Sequence, residues 1–365
     1  MFFNIPVTTV KVCLPGSTSS CRTIANVLVD TGSYGLRLLA SALNGLVTTA
    51  NYQQDPGTGG SFIVECLPFA DGYTWGPVAS VDLYIGGEKA SALPINIVDD
   101  SSNHSSLQPA APSSCQTLGN GSNIGSVDNL GANGVLGVGL FNYDCGVYCT
   151  LPVSAQTQGS FYYSCAATVC SPTSEPLASQ VVNPVAMFPV DNNGVILQMD
   201  AVTEGGAPTA TGQLIFGIGT QSNNALGSAT VLTTDDSGFI TTSFNGQTLS
   251  SSFLDSGSNG LYFPDSSLPN CGSSAVEMQF YFPTTTQSLS ATNQGQNGAS
   301  TPLTFFIGNL NAFSKTNFAL SAVGGPTNSI SGIGTAYFDF GVPFFYGRTV
   351  FTGMGTATDP PYYAY

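Results

Sequence analysis

The sequence is poor in the residues that nucleic-acid-binding, metal-binding and histidine-dependent proteins use most. Its 365 residues include 6 Lys and Arg and 1 His, and only 7% of them are charged. Because Lys and Arg neutralise phosphates when a protein binds nucleic acid, a formal net charge of −15 argues against such a partner. With His104 as the single histidine and no repeated Cys-x-x-Cys, the chain also lacks a zinc ligand pattern. We therefore expect neither a metal ion nor another cofactor.

Long apolar runs are missing as well. No run reaches the ~18–20 residues of a membrane-spanning helix, so we expect no membrane insertion. The first six residues, MFFNIP, lack the basic and apolar regions of a signal peptide. Cysteines without a zinc pattern indicate disulfides, which form in exported proteins. We interpret the chain as a secreted, periplasmic or cell-surface monomer whose export signal has been removed.

Nine cysteines predict several disulfides and at least one cysteine left over. Cys13 and Cys21 flank a Pro-Gly pair, so they are placed to link the two strands of a hairpin. The four cysteines from Cys145 to Cys170 predict two further bonds, whose connectivity the spacing leaves open. Cys271 is the most isolated cysteine and is the candidate for the free thiol.

Glycine and proline divide the chain into short segments. With 43 Gly and 22 Pro, the sequence alternates turn signals with short β-rich runs, which is typical of an all-β protein. Three polar, Gly/Ser-rich stretches are expected to be surface loops: 57–61, 101–123 and 287–300. The predicted strands are Ile24–Val29, Val81–Ile85, Gly194–Met199, Leu214–Phe216 and Gly238–Phe244.

An internal repeat is the most informative feature of the sequence. The segment LVDTGSYGL at 28–36 recurs as FLDSGSNGL at 253–261, and about a hundred residues after each comes an apolar, Gly-containing strand, GVLGVGLF at 134–141 and FDFGVPFF at 338–345. A chain built from two copies of one β-rich unit predicts two lobes with a twofold cleft between them.

The repeat places one aspartate, Asp30 or Asp255, on each of two equivalent turns. A single Asp-Thr-Gly is usually an ordinary strand-end turn, but a twofold axis would bring two such carboxylates together. Two carboxylates ~3 Å apart share one proton, so that one can act as general base on a water molecule and the other as general acid. Two other candidate sites have simpler interpretations. His104 lies in a polar loop and is expected to be solvated. Asp191 is expected to lie in a plain turn and not in a calcium-binding loop.

On these residues the sequence resembles the pepsin-like aspartic peptidase family over nearly the whole chain. The resemblance implies an all-β, bilobal acid-protease fold with two pseudo-twofold-related β-barrel lobes and a central cleft. It implies lobes at 1–218, with the first catalytic Asp, the flap and interlobe strands, and at 219–365. By resemblance, Asp30 and Asp255 are the catalytic pair, Thr31 and Ser256 make crossed hydrogen bonds, and Ser33 and Ser258 bond to the carboxylates, with Gly32 and Gly257 completing the turns.

The resemblance also implies a β-hairpin flap at about 66–85 that covers the cleft. Its tip falls at Asp71-Gly72, and the position of the family's flap tyrosine is occupied by Phe69, which has no hydroxyl. Tyr73 or Trp75 would supply the missing donor if the register shifted. A second departure is Asp339, which stands where the family prefers an apolar residue.

The predicted function is hydrolysis of peptide bonds in a peptide or protein substrate at acidic pH. Two alternatives remain open: a binding protein on a pepsin scaffold at the bacterial cell surface, weak or inactive as a catalyst, and a structural or adhesive β protein. The strings ADGYTWG at 70–76 and PFFYGR at 343–348 are similar to a group of exported bacterial proteins, which suggests a bacterial source.

Overall fold

The fold was obtained as a computed structural model. It describes residues 2–57, 59–100, 108–119, 121–166, 168–270, 280–327, 334–356 and 358–365, so His104 and Cys271 lie outside the described residues. The contacts group the chain into two compact units. The N-terminal unit comprises Val7–Val29 and Ser33–Pro189, and the C-terminal unit comprises Met1–Pro6, Asp30–Gly32 and Val190–Tyr365.

The N-terminal unit is built on one nine-stranded sheet with the order β1-β2-β7-β3-β6-β5-β4-β8-β9. Pairing of Phe69 with Gly72 makes β4 and β5 a hairpin with a two-residue turn, Ala70-Asp71. The strands are β1 Val7–Cys13, β2 Cys21–Asp30, β3 Tyr34–Leu39, β4 Phe62–Phe69, β5 Gly72–Ile85, β6 Glu88–Val98, β7 Gly134–Val138, β8 Tyr162–Ala166 and β9 Val169–Pro172.

The C-terminal unit contains two sheets, with the orders β11-β10-β20-β21-β12 and β17-β16-β13-β14-β19-β15-β18. The two copies of the sequence repeat have the same strand order. In this unit β19 lies between β14 and β15, just as β7 lies between β2 and β3 in the N-terminal unit. The strands are β10 Gly194–Met199, β11 Gly212–Phe216, β12 Val231–Thr233, β13 Ile240–Phe244, β14 Gln247–Leu254, β15 Leu261–Tyr262, β16 Gln287–Gln294, β17 Ser300–Ile307, β18 Gly324–Gly325, β19 Asp339–Phe340, β20 Thr349–Gly353 and β21 Tyr362–Ala364.

Helices are few and short, as expected when Gly and Pro interrupt the chain this often. In the described part of the chain, none is long and apolar enough to cross a membrane. The α-helices are α1 Ala40–Leu43, α2 Ser113–Leu118, α3 Val127–Leu130, α4 Val147–Thr150 and α5 Val342–Phe345; single 3₁₀ turns occur at Thr49–Asn51, Val153–Ala155, Leu177–Ser179, Pro184–Met187 and Leu310–Ala312.

An aromatic cluster forms the core behind the second Asp turn. Phe338 stacks on Phe263 with ring centroids 4.8 Å apart and meets Phe305 edge-on at 5.4 Å. Phe244 packs edge-on against both Phe263 and Phe338. Aromatic contacts of this kind add stability beyond the buried area, so β19, which directly follows Phe338, is firmly packed.

Eight of the nine cysteines form four disulfides. The hairpin bond Cys13–Cys21 was predicted, and so were two bonds within Cys145–Cys170. The connectivity that the spacing left open is local, because each of these cysteines pairs with its nearest neighbour in sequence. The bonds are Cys13–Cys21, Cys66–Cys115, Cys145–Cys149 and Cys165–Cys170.

The N-terminal unit buries an arginine with two carboxylates. Arg37 Nη2 lies 2.6 Å from Glu65 Oε1 and 3.2 Å from Asp144 Oδ2, with all three side chains almost fully enclosed. Tyr162 donates its hydroxyl hydrogen to Asp144 at 2.8 Å. Loss of hydration and the charge of Glu65 raise the pKa of Asp144 well above its usual value. A cluster with one cation and two acids is therefore best satisfied when one acid is protonated.

Four of the predicted strands lie within β2, β5, β10 and β11, and the fifth, Gly238–Phe244, begins two residues before β13. Two loop predictions were wrong. The described part of 101–123 contains α2, which buries Cys115. Residues 287–300 contain β16 and the start of β17, paired as a hairpin from Gln287↔Ile307 to Gln294↔Ser300. These strands are polar because one face is solvated, so their composition resembled a loop. The predicted lobe boundary at residue 218 stays a prediction; by contacts, β10 and β11 group with the C-terminal unit.

Candidate active site

The two repeated Asp turns have the same local geometry. Asp30 is the last residue of β2, and the backbone N–H of Gly32 donates to its Oδ1 at 2.8 Å. Asp255 follows β14, and the N–H of Gly257 donates to its Oδ1 at 2.7 Å. Each carboxylate is therefore held by a backbone donor two residues on, as in an Asx turn, which fixes the side chain before any substrate binds.

The glycines of the turns let the two carboxyl groups come together. A Cβ atom on Gly32 would lie 2.5 Å from Cγ of Asp255, and one on Gly257 would lie 2.7 Å from Cγ of Asp30. Each carboxyl group therefore lies against the glycine of the opposite turn, where no other residue fits. The residues Asp30–Gly32 belong to the C-terminal unit by contacts, so the pair forms within that unit.

The residues after the two aspartates exchange hydrogen bonds. The backbone N–H of Thr31 donates to Ser256 Oγ at 3.1 Å, and the N–H of Ser256 donates to Thr31 Oγ1 at 2.9 Å. Thr31 Oγ1 in turn donates to the carbonyl of Leu254 at 3.3 Å. Both side chains are buried. These reciprocal bonds tie the two turns at a fixed separation.

A third carboxyl group lies behind the second turn. Ser258 Oγ is 2.9 Å from Asp255 Oδ2 and 2.7 Å from Asp339 Oδ2. Asp339 is only 7% exposed. It lies on β19, whose parallel pairing with β14 places Phe340 opposite Leu254 and brings the N–H of Asp255 to the Phe340 carbonyl. Sequence reasoning noted this aspartate as a departure but did not place it in the site; a charged residue between two phenylalanines was the available signal.

The electrostatics of the cluster favour protonated acids. Loss of hydration raises the pKa of Asp255 well above its usual value, and the negative charges of Asp30 and Asp339 raise it further. Burial raises the pKa of Asp339 to about 8, with the Ser258 hydrogen bond opposing and the charge of Asp30 adding to the shift. Like charges that cannot all ionise at close range retain protons, so the cluster can hold a protonated carboxyl beside an ionised one.

The predicted flap residues lie in the β4–β5 hairpin of the N-terminal unit. Asp71 is exposed in the turn, Phe69 is half-buried, and Gly72 lies against Ile124, so that a Cβ atom would collide there. Tyr73 and Trp75 are buried in a core cluster with Tyr163. Trp75 Nε1–H donates to the carbonyl of Pro109 at 2.9 Å, which leaves it no free donor.

The structure thus brings most of the predicted site residues together. Ser33 lies in the N-terminal unit, where its Oγ would be 2.8 Å from a Cβ atom on Gly137. At Asp191 the carboxylate accepts hydrogen bonds from Thr220 and Gln221, which lie 29 and 30 residues further along the chain. The C-terminal unit gathers Asp30, Thr31, Gly32, Asp255, Ser256, Gly257 and Ser258, together with Asp339.

A solved structure shares this architecture. The crystal structure of aspartic proteinase from Irpex lacteus matches with a TM-score of 0.50 and 16% sequence identity, over 98% of this chain and 93% of that chain. At this identity the likeness establishes the fold. The predicted fold class is confirmed: the chain is all-β and has the pepsin-like acid-protease fold.

The family of the chain follows from a second comparison. A family model described as "Protein of unknown function (DUF3443)" matches residues 1–365, and the chain belongs to this family. No curated protein matches the chain. The predicted likeness to a group of exported bacterial proteins stays a prediction.

Proposed function

We propose that the protein is an aspartic endopeptidase that hydrolyses peptide bonds at acidic pH, with Asp30 and Asp255 as the catalytic pair. The observation that carries the proposal is the meeting of two carboxyl groups, each held by a glycine N–H and each lying against the glycine of the other turn. The pepsin-like fold supports it, because that fold is the one in which the Irpex lacteus aspartic proteinase was solved.

The chemistry needs one proton shared by the two carboxyl groups. The ionised carboxylate takes a proton from a water molecule, whose oxygen attacks the carbonyl carbon of the peptide. The protonated carboxyl donates its proton to the carbonyl oxygen, which gives a neutral tetrahedral diol. The first carboxyl then passes its proton to the leaving nitrogen, the C–N bond breaks, and the second carboxyl recovers its proton from a diol hydroxyl. All atoms and protons are conserved over the cycle.

The proposed reaction also defines the class of substrate. An extended peptide or protein segment is the proposed substrate, and the proposed working form is a secreted, periplasmic or cell-surface monomer. Four disulfides in the described chain support export, because such bonds persist in oxidising compartments.

The test is hydrolysis of a mixed peptide library between about pH 2 and about pH 7, the range in which carboxyl pairs titrate. Wild type is compared with Asp255→Asn, which is close in shape but cannot carry the shared proton. Asp236→Asn is the matched control, because Asp236 is an exposed aspartate of the same unit. Cleavage in acid by wild type and the control, lost by ~10³-fold or more in Asp255→Asn, supports the proposal.

A pepsin-scaffold binding protein is the second candidate, and Phe69 favours it. Phe69 has no hydroxyl, although the resemblance implies a tyrosine at this position of the hairpin. The indole N–H of Trp75 cannot replace it, because it already donates to the carbonyl of Pro109. A binder would hold peptides with equal affinity in wild type and in Asp255→Asn, and neither protein would cleave them. Absence of cleavage by folded wild type across the pH range would therefore replace the peptidase proposal with this one.

A further inference from the structure

Asp339 is an acid buried among aromatic rings. It stands between Phe338 and Phe340, which are fully buried and stack on each other. None of the described salt bridges includes it. An ionised carboxylate without a cation in such surroundings is costly, so the fold must either neutralise the group or compensate its charge through hydrogen bonds.

A count of hydrogens at Ser258 shows which of these applies. The serine hydroxyl has one hydrogen, while its oxygen lies within hydrogen-bond distance of both Asp255 Oδ2 and Asp339 Oδ2. Ionised carboxylates only accept, so Ser258 can satisfy one of them at most. The second short contact is a hydrogen bond only if the other carboxyl is protonated and donates to the serine oxygen.

The second oxygen of Asp339 identifies the protonated partner. Asp339 Oδ1 is buried and has no hydrogen-bond partner, so an ionised Asp339 would leave half of its charge unsatisfied. Protonation removes that charge and supplies the donor that the contact with Ser258 requires. The raised pKa of Asp339, about 8 because of burial, agrees with this assignment.

The groups that face Asp339 favour the same state. Asp255 lies beyond Ser258, and Asp30 contributes a further negative charge from the neighbouring turn. Tyr262, opposite Asp339 in the pairing of β15 with β19, donates its hydroxyl hydrogen to Asn259 Oδ1 at 2.5 Å.

We propose that Asp339 is a positioning residue that holds a proton and donates it in a hydrogen bond to Ser258 Oγ, so that the single Ser258 hydrogen points at Asp255 Oδ2. The catalytic importance of this arrangement rests on the proposed peptidase function, but the hydrogen-bond chain itself does not. The proton stays on Asp339 throughout the reaction, and the chain Asp339–Ser258–Asp255 keeps the second carboxyl of the pair in place.

Two substitutions separate the parts of this proposal. Asp339→Asn keeps a neutral group with an N–H that can donate to Ser258, whereas Asp339→Leu removes the donor and leaves the serine hydroxyl free to rotate. Asp236→Asn serves as the control, since it removes an exposed aspartate of the same unit. Thermal unfolding of each variant establishes that it is folded.

The first readout does not depend on activity. Infrared spectra of isotopically labelled aspartate at about pH 6 count protonated carboxyl groups, because acid and carboxylate absorb in different regions. One protonated carboxyl should be missing in Asp339→Asn and in Asp339→Leu, and none in Asp236→Asn. The remaining shared proton should titrate at higher pH in Asp339→Leu than in Asp339→Asn, since a weakened bond from Ser258 favours ionised Asp255 less. Equal counts in wild type and Asp339→Asn would overturn the proposal, and so would equal titration in the two variants.

The second readout is peptidase activity in acid. Asp339→Asn should keep kcat within ~3-fold of wild type, and Asp339→Leu should lower kcat by ~10-fold with little change in KM. Equal kcat in the two variants would overturn the positioning role. If wild type cleaves no peptide but the infrared differences are found, the proposed function fails while the protonated Asp339 and its bond to Ser258 stand.

Discussion

At the residue scale, the two turn glycines set how closely the carboxyl groups approach. Gly32 and Gly257 are required because the opposite carboxyl occupies the place of a side chain, and neither has a positive φ that would demand glycine for another reason. Gly341 has the supporting role behind Ser258, where a Cβ atom would collide with the carbonyl of Gly260. These positions link a feature visible in the sequence motif to a contact that exists only in the folded chain.

We expect Gly257→Ala to reduce peptidase activity far more than it reduces stability. The added methyl group would lie 2.7 Å from Asp30 Cγ and 3.0 Å from Asp255 Oδ1, so the carboxyl pair must separate. The expected loss of kcat/KM is ~10²-fold or more, because small displacements of reacting groups are costly in rate. Steady-state kinetics and thermal unfolding check this, with Gly205→Ala as the control because a Cβ atom there meets nothing within 4 Å. Activity near the wild-type level in Gly257→Ala would contradict the geometry of the pair.

The buried Arg37 gives a second prediction at this scale. Arg37→Met should lower the free energy of unfolding by ~3–5 kcal/mol near neutral pH, because it leaves Glu65 and Asp144 buried without a cation. The loss should be smaller at about pH 4, because less buried negative charge is then left without a cation. Urea unfolding at both values measures the difference, and Arg22→Met, at an exposed arginine, is the control. An equal loss at both values would mean that the charges are not what Arg37 compensates.

At the scale of elements, disulfides and packing fix the hairpin that carries the predicted flap. Cys66 of β4 is bonded to Cys115 of α2, and the bond lies in the same cluster as Tyr73, Trp75 and Tyr163. Tyr73 also exchanges backbone hydrogen bonds with Ser122 and Ile124. The hairpin is therefore firmly held up to the residues next to its turn, where Ala70 and Asp71 are exposed.

The four disulfides should contribute unequally to stability. Cys66–Cys115 closes a sequence separation of 49 and Cys145–Cys149 one of 4, so chain entropy gives about 4 and about 2 kcal/mol respectively. Paired Cys→Ala variants of each bond, compared by urea unfolding under oxidising conditions, check the order. A larger loss on removing Cys145–Cys149 would show that local strain or packing, and not loop closure, decides the contribution.

At the scale of the whole molecule, acids far outnumber cations, with 21 Asp and Glu against 6 Lys and Arg. Several buried acids have raised pKa values: Asp339 about 8 and Glu175 about 7 through burial, and Asp144 and Asp255 in the same direction. Asp82 is the opposite case: burial acts to raise its pKa, but hydrogen bonds with Lys89, Ala92 and Gly16 together outweigh burial and lower it. Most of these shifts therefore raise the pKa, which means that the folded state binds more protons than the unfolded chain.

We expect the protein to be more stable near pH 4 than near pH 8. A folded-state pKa above the unfolded value means that the folded chain binds more protons, so the free energy of unfolding falls as the pH rises through that interval. The interval runs from the ordinary values of 3.8 for Asp and 4.5 for Glu to about 7 for Glu175 and about 8 for Asp339. Thermal unfolding against pH measures the slope, which should be shallower in Asp339→Asn. A melting temperature that rises from pH 4 to pH 8 would contradict this account.

Much of the fold could be predicted because each strand is short, bounded by Gly or Pro and either apolar or repeated. The segment 287–300 could not, since a solvated hairpin of Ser, Thr and Gln has the composition of a loop. The reciprocal bonds of Thr31 and Ser256 followed from the resemblance, whereas the place of Trp75 depended on Pro109, far along the chain.

Sequence alone was enough to predict the all-β class, the duplicated Asp turns and the hairpin disulfide Cys13–Cys21, because these depend on neighbouring residues and on a repeat. Tertiary structure alone decided that Asp30–Gly32 packs with the C-terminal residues and that Asp339 reaches Ser258. Asp339 and Asp255 are distant in sequence and meet only because β19 pairs with β14. A hydrogen bond that depends on the register of two strands has no signature in the sequence around either residue.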